Sequence, residues 1–407
     1  MGFKKIIRKT HLLLGLASGI IVFILGITGC IYVFEEEIKP IIYDHYHSNE
    51  IKEEKIPISQ LLQTVQDTLK NKSATGIHIY NTNENTIRFL AFKNKENASG
   101  IWFWDQREYY YTTYINAYTG KIQQLENSTT EFFQIILWLH WSLLLKTKIG
   151  QPIVGVACLI FVISLITGLV LWWPKNKKAA KQRFWFRWKP STKWKRKNYD
   201  LHNIFGYYMM LFALIISLTG LVWAFDWFDN SVQWVANGGK KIQNKKEALF
   251  SDATQFTNQR PLDKVYAKVK QNYPDAKSYF ISLPQDSIAA QRVFVKYKAR
   301  TRDVSLVFDQ YTAQLLNTET FISKNNGEKI RSLNYDIHVG SILGFPGKVL
   351  AFFASLVSAS LPVTGFMIWM GRRKKESRTN HKTVKKQHGL APKPRIQTTI
   401  NEKTYYP

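Results

Sequence analysis

Four long stretches without a charged residue constrain this chain more than any other feature of its sequence. They cover residues 12–34, 152–173, 203–225 and 349–370, and each is 22 or 23 residues long. At a rise of about 1.5 Å per residue, a helix of that length crosses the roughly 30 Å hydrocarbon layer of a bilayer. We therefore predict an α-helical multi-pass membrane protein with four transmembrane helices.

The net charge of +27 is concentrated beside these stretches. Residues 1–10, 174–201 and 371–407 hold 26 of the 56 lysines and arginines but only three acidic residues. Because basic flanks mark the cytoplasmic side, we expect both termini in the cytoplasm and the loops 35–151 and 226–348 outside the cell inner membrane. The remaining charge is nearly balanced, so no nucleic acid partner is expected and the lipid bilayer accounts for the basic segments.

The predicted organisation has eight segments. In chain order these are the cytoplasmic N-terminus with the first span (1–34), an outer domain (35–131), an interfacial helix with the second span (132–173), a basic cytoplasmic loop (174–201), the third span (202–225), a second outer domain (226–334), an interfacial segment with the fourth span (335–370) and a basic cytoplasmic tail (371–407).

Each outer domain reads as a small α+β unit. Helical apolar spacing at 57–72 and 261–272 precedes strand-like segments. These predicted strands are 75–81, 86–93, 100–104 and 109–115 in the first domain, and 277–283, 292–298 and 304–308 in the second. Residues 117–122 and 310–315 read as closing hairpin turns, and Gly120 suits the positive φ that such a turn needs.

The order of histidines and Thr-Gly pairs occurs twice. His11 and His202 each precede a Thr-Gly pair by 17 residues, whereas His140 and His338 precede one by 27 and 26 residues. A half with two spans begins and ends on one side of the membrane. The sequence therefore predicts two parallel repeats, related by an axis along the membrane normal.

These four histidines are the candidate cofactor ligands. Parallel repeats put His11 and His202 at one inner depth, and His140 and His338 at one outer depth. Two facing imidazoles in an apolar bundle are the ligand set of a bis-histidine haem, so the pattern predicts two haems. The plainer alternative is four hydrogen-bonded histidines at the membrane interface.

Other residues support the haem hypothesis less strongly. Gly15, Gly19 and Gly206 lie one or two turns beyond the inner histidines and would leave room for a macrocycle, although close helix packing also explains them. A zinc site fits less well, because each layer offers two histidines and no carboxylate. Cys30 and Cys158 lie in apolar runs and are expected to be reduced and buried, which excludes a cysteine-ligated cluster.

The remaining histidines and outer aromatics have ordinary explanations. His45, His47, His78, His381 and His388 lie in polar loops or the tail, where solvated roles suffice. The aromatic residues at 102–104 and 109–114 would form a platform for a chelate or, more simply, part of a buried strand core.

The chain resembles the PepSY-associated transmembrane proteins and, within them, the inner-membrane ferric-siderophore reductases. The motifs that carry this resemblance are Lys9-Thr10-His11-Leu12, Leu139-His140-Trp141, Asp200-Leu201-His202-Asn203, the run Gly344-Phe345-Pro346-Gly347-Lys348 after His338, and the closings Tyr118-Thr119-Gly120-Lys121 and Tyr311-Thr312. One departure is Ala313, which stands where the first closing turn has Gly120.

This resemblance implies a function. It implies two PepSY-like outer domains, haem b bound by His11, His202, His140 and His338, and an unidentified cytoplasmic or membrane electron donor. The substrate would be a ferric siderophore or another ferric chelate outside the membrane, which makes the protein a haem-dependent ferric-chelate reductase.

Three alternatives stay open at this stage. The chain would also suit a non-catalytic membrane protein whose PepSY-like domains bind or restrain a partner such as a peptidase. An iron or siderophore transporter is less suitable, because the spans carry no charge at mid-depth. A cleaved lipoprotein signal ending at Cys30 is a further possibility, although the recurrence of Thr-Gly in the other spans explains Thr28 and Gly29 without cleavage.

The predicted topology is testable with reporter fusions. Fusions after Lys175 and after Lys240 should report opposite compartments, because Lys175 lies in the basic loop predicted to be cytoplasmic and Lys240 in the second predicted outer segment. An alkaline phosphatase and a fluorescent protein reporter at each position provide the measurement. Both positions in one compartment would contradict the arrangement.

Overall fold

The computed structural model describes residues 2–174, 176–240, 249–255 and 261–388. Within this part of the chain, four helices are long and apolar enough to cross a membrane, and each contains one of the charge-free stretches or nearly all of it. Their bounds are Phe3–Tyr32, Thr147–Trp172, Trp194–Ala224 and Ser341–Arg373. Only 22% to 33% of each apolar window is buried inside the protein, so most of its surface is free to contact lipid. Residues 389–407 of the predicted tail lie outside the described residues.

The described helices number eleven. They are α1 (Phe3–Tyr32), α2 (Glu35–Ile42), α3 (Ile58–Leu69), α4 (Phe132–Ser142), α5 (Thr147–Trp172), α6 (Lys177–Arg183), α7 (Trp194–Ala224), α8 (Asp226–Ala236), α9 (Pro261–Asn272), α10 (Asn326–His338) and α11 (Gly344–His388). In the membrane bundle, α1 packs against α5 and α11, and α7 packs against the same two helices. The bundle is therefore a ring of four in which α1 and α7 are diagonally opposed.

All eight strands of the described residues form one antiparallel sheet. They are β1 (Ala74–Tyr80), β2 (Ile87–Asn94), β3 (Arg107–Ile115), β4 (Ile122–Asn127), β5 (Ser278–Ser282), β6 (Gln291–Lys296), β7 (Val304–Phe308) and β8 (Leu315–Thr320). Their order is β4-β3-β2-β1-β5-β6-β7-β8. The two α+β segments that the sequence predicts therefore contribute four strands each to one shared sheet.

The joint between the two segments is the β1–β5 pair. Its register runs from Gly76 opposite Ser282 to Tyr80 opposite Ser278. Pairing satisfies the backbone groups that each half would otherwise leave at an open sheet edge. Gly76 permits the close approach, since a Cβ there would lie 2.7 Å from Cζ of Phe280.

The apolar core lies on the helix-covered face of the sheet. Alternate strand residues such as Ile77, Phe89, Tyr279 and Val293 are fully buried in one cluster with side chains of α3 and α9. A single core therefore runs across both segments, although the sequence pattern of each half resembles that of a complete domain. The opposite face holds residues such as His78. Near this histidine, Nζ of Lys277 forms an ion pair with the carboxylate of Glu36 of α2 over 3.2 Å.

The predicted strand at 100–104 is wrong. Residues Phe103–Gln106 form a 3₁₀ turn instead. Phe103 is 1% exposed and stacks on Trp138 of α4 with ring centroids 5.3 Å apart. Its amide donates to the carbonyl of Leu144 over 2.8 Å, so tertiary docking overrides the local strand preference.

The two closing turns lead into further strands, β4 and β8, which the sequence did not predict. Gly120 has φ of 69°, as the turn requires, and Ala313 adopts φ of 57° in the corresponding turn. The alanine thus accepts the left-handed conformation that costs an L-residue about 1–2 kcal/mol. Its carbonyl accepts a bond from Nζ of Lys268 over 2.9 Å.

The interfacial segments are both regular helices. Predicted residues 132–145 contain α4, which ends at Ser142 and is followed by Leu143 and Leu144 with φ of 56° and 60°. The second segment was expected to begin at residue 335 and to be the shorter. Instead α10 begins at Asn326, because Asn325 and Glu328 form a reciprocal capping box. The boundary drawn at 334 therefore falls inside a helix.

The bundle has two distinct ends. The end that carries residues 3–10 and 194–198 is called the basic side, and the end that meets α2, α4, α10 and the sheet is called the sheet side.

His78 makes the stability of the sheet pH-dependent. Burial, followed by the charges of Arg88 and Lys277, lowers the pKa of His78 to about 3. The unfolded chain therefore binds more protons at this group between about pH 6.5 and 3, and stability falls as the pH drops through that window. His78→Gln should reduce the loss of thermal stability on acidification, by no more than about 1.4 kcal/mol per pH unit.

Circular dichroism melting in detergent, between pH 7 and pH 4, measures this effect. His47→Gln, at an exposed position, is the matched control for the loss of one imidazole. Equal slopes for the wild type and His78→Gln would contradict the assignment.

Candidate cofactor-binding site

His11 and His202 face each other inside the bundle. They lie on the diagonally opposed helices α1 and α7. Their ring centroids are 6.4 Å apart, and their ring planes make an angle of 80°. The structure thus brings together the two histidines that the sequence assigned to one layer.

His140 and His338 form a second facing pair. His140 lies on α4 and His338 on α10, with ring centroids 6.1 Å apart and an interplanar angle of 75°. Thr28, which contacts His140, is 17 residues beyond His11 on α1, or about 25 Å of helix. The two pairs therefore occupy two depths, one toward the basic side and one at the sheet side.

Each imidazole contacts the threonine of a Thr-Gly pair on a different helix. The Nδ1 to Oγ1 distances are 3.1 Å for His11 and Thr167, 2.9 Å for His202 and Thr364, 2.9 Å for His140 and Thr28, and 3.0 Å for His338 and Thr219. The sequence marked the Thr-Gly pairs only as features of the spans. Their role as histidine partners was missed, because it links residues 112 to 162 positions apart.

This contact fixes the tautomer of each imidazole. Every one of the four threonine hydroxyls also lies 2.7 to 2.9 Å from the carbonyl oxygen four residues earlier. A carbonyl only accepts, so the single hydroxyl proton goes to it, and the hydroxyl oxygen accepts from the imidazole. For His11, the carbonyl of Ser164 at 3.1 Å from Nδ1 requires the same protonation. Nδ1 therefore carries the proton and Nε2 keeps a free lone pair.

The glycine after each threonine lies against the imidazole ring, and at Gly168 and Gly365 a Cβ would be tighter than an ordinary contact. A Cβ on the glycine would lie 3.2 to 3.5 Å from Cε1 of the same histidine. The four glycines are Gly29, Gly168, Gly220 and Gly365. Threonine and glycine thus act as one unit, in which the first residue bonds the ring and the second accommodates it.

A cavity surrounds each histidine pair. The basic-side cavity, around His11 and His202, has a volume of about 600 Å³. The sheet-side cavity, around His140 and His338, has a volume of about 500 Å³. Both are lined mainly by apolar side chains, and both fall in the size range of small-molecule and cofactor sites.

The residues present fit a bis-histidine haem. Two imidazoles bound at about 2.0 Å to one metal from opposite sides have ring centroids about 6.2 Å apart, close to the two observed spacings. Free Nε2 lone pairs and small residues beside the rings meet the other requirements. A tetrahedral zinc site is less suitable, since the described residues contain no group of three or more histidine, cysteine, aspartate or glutamate ligands.

Comparison with known protein families assigns the chain to one family. The family described as the PepSY-associated TM region matches residues 8–372. The protein belongs to the PepSY-associated transmembrane family. No protein of curated function matches the chain.

The predicted glycines of this PepSY-associated protein have different roles. Gly15 and Gly206 line the basic-side cavity. Gly19 does not, because it packs against the ring of Pro362, where a Cβ would lie at 3.2 Å. The helix-packing explanation is therefore correct for Gly19.

His45, His47 and His78 do not join the two pairs. His47 is exposed and bonds the carbonyl of Pro40 over 2.9 Å, and His45 lies beside Tyr114. The expectation of a solvated role is wrong for His78, which packs between Tyr80 and Phe280. The side chains of His381 and His388 lie outside the described residues.

The outer aromatic residues divide into two groups. Trp102 and Trp104 are 42% and 44% exposed and stack on each other at 5.4 Å, whereas Phe103 between them is buried. Tyr109 and Tyr111 pack against the core of the sheet. The core explanation therefore holds for Tyr109, Tyr111 and Phe103 but not for the two tryptophans.

The threonine contact can be tested without any cofactor. Thr219→Val keeps the shape of the side chain but removes one of the two acceptors near the buried Nδ1–H of His338 and leaves only the carbonyl of Ile216, which should lower stability by about 0.5–1.5 kcal/mol. Thr219→Ser keeps the hydroxyl and serves as the matched control. Denaturant unfolding of the cofactor-free protein in detergent measures both variants. Equal losses for valine and serine would show that the hydroxyl does not hold the imidazole.

Proposed function

We propose that this protein is a membrane dihaem electron-transfer protein. It reduces ferric siderophore iron, or another ferric chelate, on the outer side of the inner membrane with electrons from the cytoplasmic side. The observation that carries this proposal is the pair of facing imidazoles at each of two depths, every one of them held with its Nε2 free. A merely interfacial histidine would need no such partner across the bundle.

The protein supplies ligation, orientation and exclusion of water. His11 with His202, and His140 with His338, would each hold one haem b, and the four threonines fix the tautomer that such ligation needs. Haem b supplies reversible one-electron transfer when bound. No side chain has to act as an acid or a base.

The arrangement of the cavities supports transfer across the membrane. Val22 and Phe161 line both cavities, so the two cavities adjoin at these side chains. Both residues belong to membrane-spanning helices, α1 and α5, and place apolar material between the histidine pairs. The chain thus provides a continuous low-dielectric route between its basic side and its sheet side.

The orientation follows from charge. The basic side would face the cytoplasm, as the lysines and arginines at that end require, and both termini would lie there. The sheet would then be extracytoplasmic. Two parallel repeats agree with the symmetric strand order on either side of the β1–β5 pair and with the use of Thr-Gly pairs in all four spans.

A ferric chelate would react at the sheet side. Arg300, from the segment between β6 and β7, and Tyr335 of α10 line the sheet-side cavity. Reduction of Fe(III) to Fe(II) weakens binding by hard oxygen donors, so one electron suffices to loosen the metal. The electron donor would approach from the basic side.

Electron transfer across vesicles tests the proposal. Proteoliposomes would enclose a membrane-impermeant reductant on the basic side, with ferric siderophore and a ferrous-specific dye outside. The wild type should release ferrous iron, whereas His338→Ala and His202→Ala should each lower the rate to less than about a tenth, because each removes one stage of the route. His47→Ala is the matched histidine control and should keep the rate.

Visible spectra of the same variants separate the two sites. His202→Ala and His11→Ala should lose the same haem and leave the other reducible by dithionite. Loss of different haems would refute the proposed pairing. A wild type with no haem and no iron reduction would refute the function and favour a protein that restrains a partner.

A further inference from the structure

The lining of the basic-side cavity includes four cationic side chains. Arg8 and Lys9 of α1 and Arg372 and Arg373 of α11 all line this cavity. Among the described residues, none of the four forms an ion pair with a carboxylate. Two helices on neighbouring positions of the ring therefore present unpaired positive charge to one space.

A buried donor in the same cavity also has no partner. Trp172 is 4% exposed, lines the cavity, and its Nε1 makes no hydrogen bond. The indole stacks on Tyr207 with centroids 3.7 Å apart and an angle of 7°, which fixes its position. A buried N–H without an acceptor costs free energy, and a bound acceptor would recover it.

These donors all lie on the basic side of the histidine level. Trp172 follows Gly168 by four residues, and Gly168 contacts the ring of His11. Arg372 follows Gly365, which contacts His202, by seven residues. At about 1.5 Å per residue, Trp172 and Arg372 lie about 6 and 10 Å beyond the histidines, whereas Arg8 and Lys9, which precede His11 by three and two residues, lie about 3–5 Å beyond them.

The sheet-side cavity lacks this arrangement. One guanidinium, that of Arg300, lines it, and Arg300 already donates from Nε to Asp336 over 2.8 Å. Each cavity has its own histidine pair and an apolar lining, but only the basic-side cavity has several cations without a carboxylate partner among the described residues, one of which, Arg373, lies over the ring of Trp369 at 5.1 Å.

We propose that Arg8, Lys9, Arg372, Arg373 and Trp172 form a carboxylate-binding subsite. It would hold the two propionate groups of the haem in the basic-side cavity and so turn that edge of the macrocycle toward the basic side. This inference rests on the proposed function, because it takes haem as the occupant. Charge-assisted bonds from guanidinium and ammonium groups suit carboxylates, and the apolar lining suits the ring.

The subsite is tested by binding, not by turnover. Apoprotein carrying His338→Ala, so that only the basic-side site is loaded, would be titrated with iron protoporphyrin IX and with its dimethyl ester, followed by the Soret band. The free acid should bind about tenfold more tightly than the ester. Arg372→Gln/Arg373→Gln, and separately Trp172→Phe, should reduce that preference for the acid.

The matched control is Lys4→Gln/Lys5→Gln. It removes two charges from the same end of α1, at residues that do not line the cavity, and should leave the preference intact. Where His338→Ala does not fold, as judged by circular dichroism, His140→Ala gives the same single-site background.

Lipid phosphate is the other source of negative charge for these cations. The titrations are therefore repeated in nanodiscs of phosphatidylcholine with and without phosphatidylglycerol. A preference for the free acid that persists in both lipids supports the subsite. Equal binding of acid and ester, with an arginine effect only in phosphatidylglycerol, would assign the cations to lipid and overturn the inference.

The outcome also separates this inference from the function on which it rests. If neither porphyrin binds the wild type, the dihaem proposal fails and the subsite fails with it. If both bind equally in every variant, the haem proposal stands and only the subsite is refuted.

Discussion

The hydrogen bond from an imidazole Nδ1 to a threonine hydroxyl is the interaction on which the membrane half of this protein depends. It occurs four times, at 2.9 to 3.1 Å, and each time it joins two different helices. It satisfies a polar group inside an apolar bundle, where an unpaired donor is costly. The same bond orients the ring and leaves Nε2 free, so packing and candidate chemistry arise from one contact.

The membrane architecture was accessible from sequence because a bilayer allows few solutions. Charge-free stretches of 22 or 23 residues identify the spans. The equal spacing of His11 and His202 to the Thr-Gly pair within the same span indicates that the two histidines lie at equal depth. The hydrogen bonds from the imidazoles to the threonines could not be predicted from the sequence. A bond between His202 and Thr364 links residues 162 positions apart, and a single sequence carries no signal for such a pair.

The sheet was harder to predict for a related reason. Period-two patterning gave most strands, but it cannot show which edges pair, so β1 and β5 were assigned to separate domains. Local strand preference also gave a wrong prediction at Phe103, because tertiary packing of this side chain against Trp138 determines the local structure. The start of α10 depended on the Asn325 capping box, a local signal that was present but not used.

The most direct test of the proposed function is to measure whether each of the two histidine pairs ligates a haem. The imidazole planes are nearly perpendicular in both pairs, at 80° and 75°. Low-temperature electron paramagnetic resonance of the oxidised protein, with haem quantified per chain, should show two low-spin ferric haems with the highly anisotropic signal of perpendicular axial imidazoles. A high-spin signal, or the rhombic signal of parallel planes, or fewer than two haems per chain would contradict the proposed ligation.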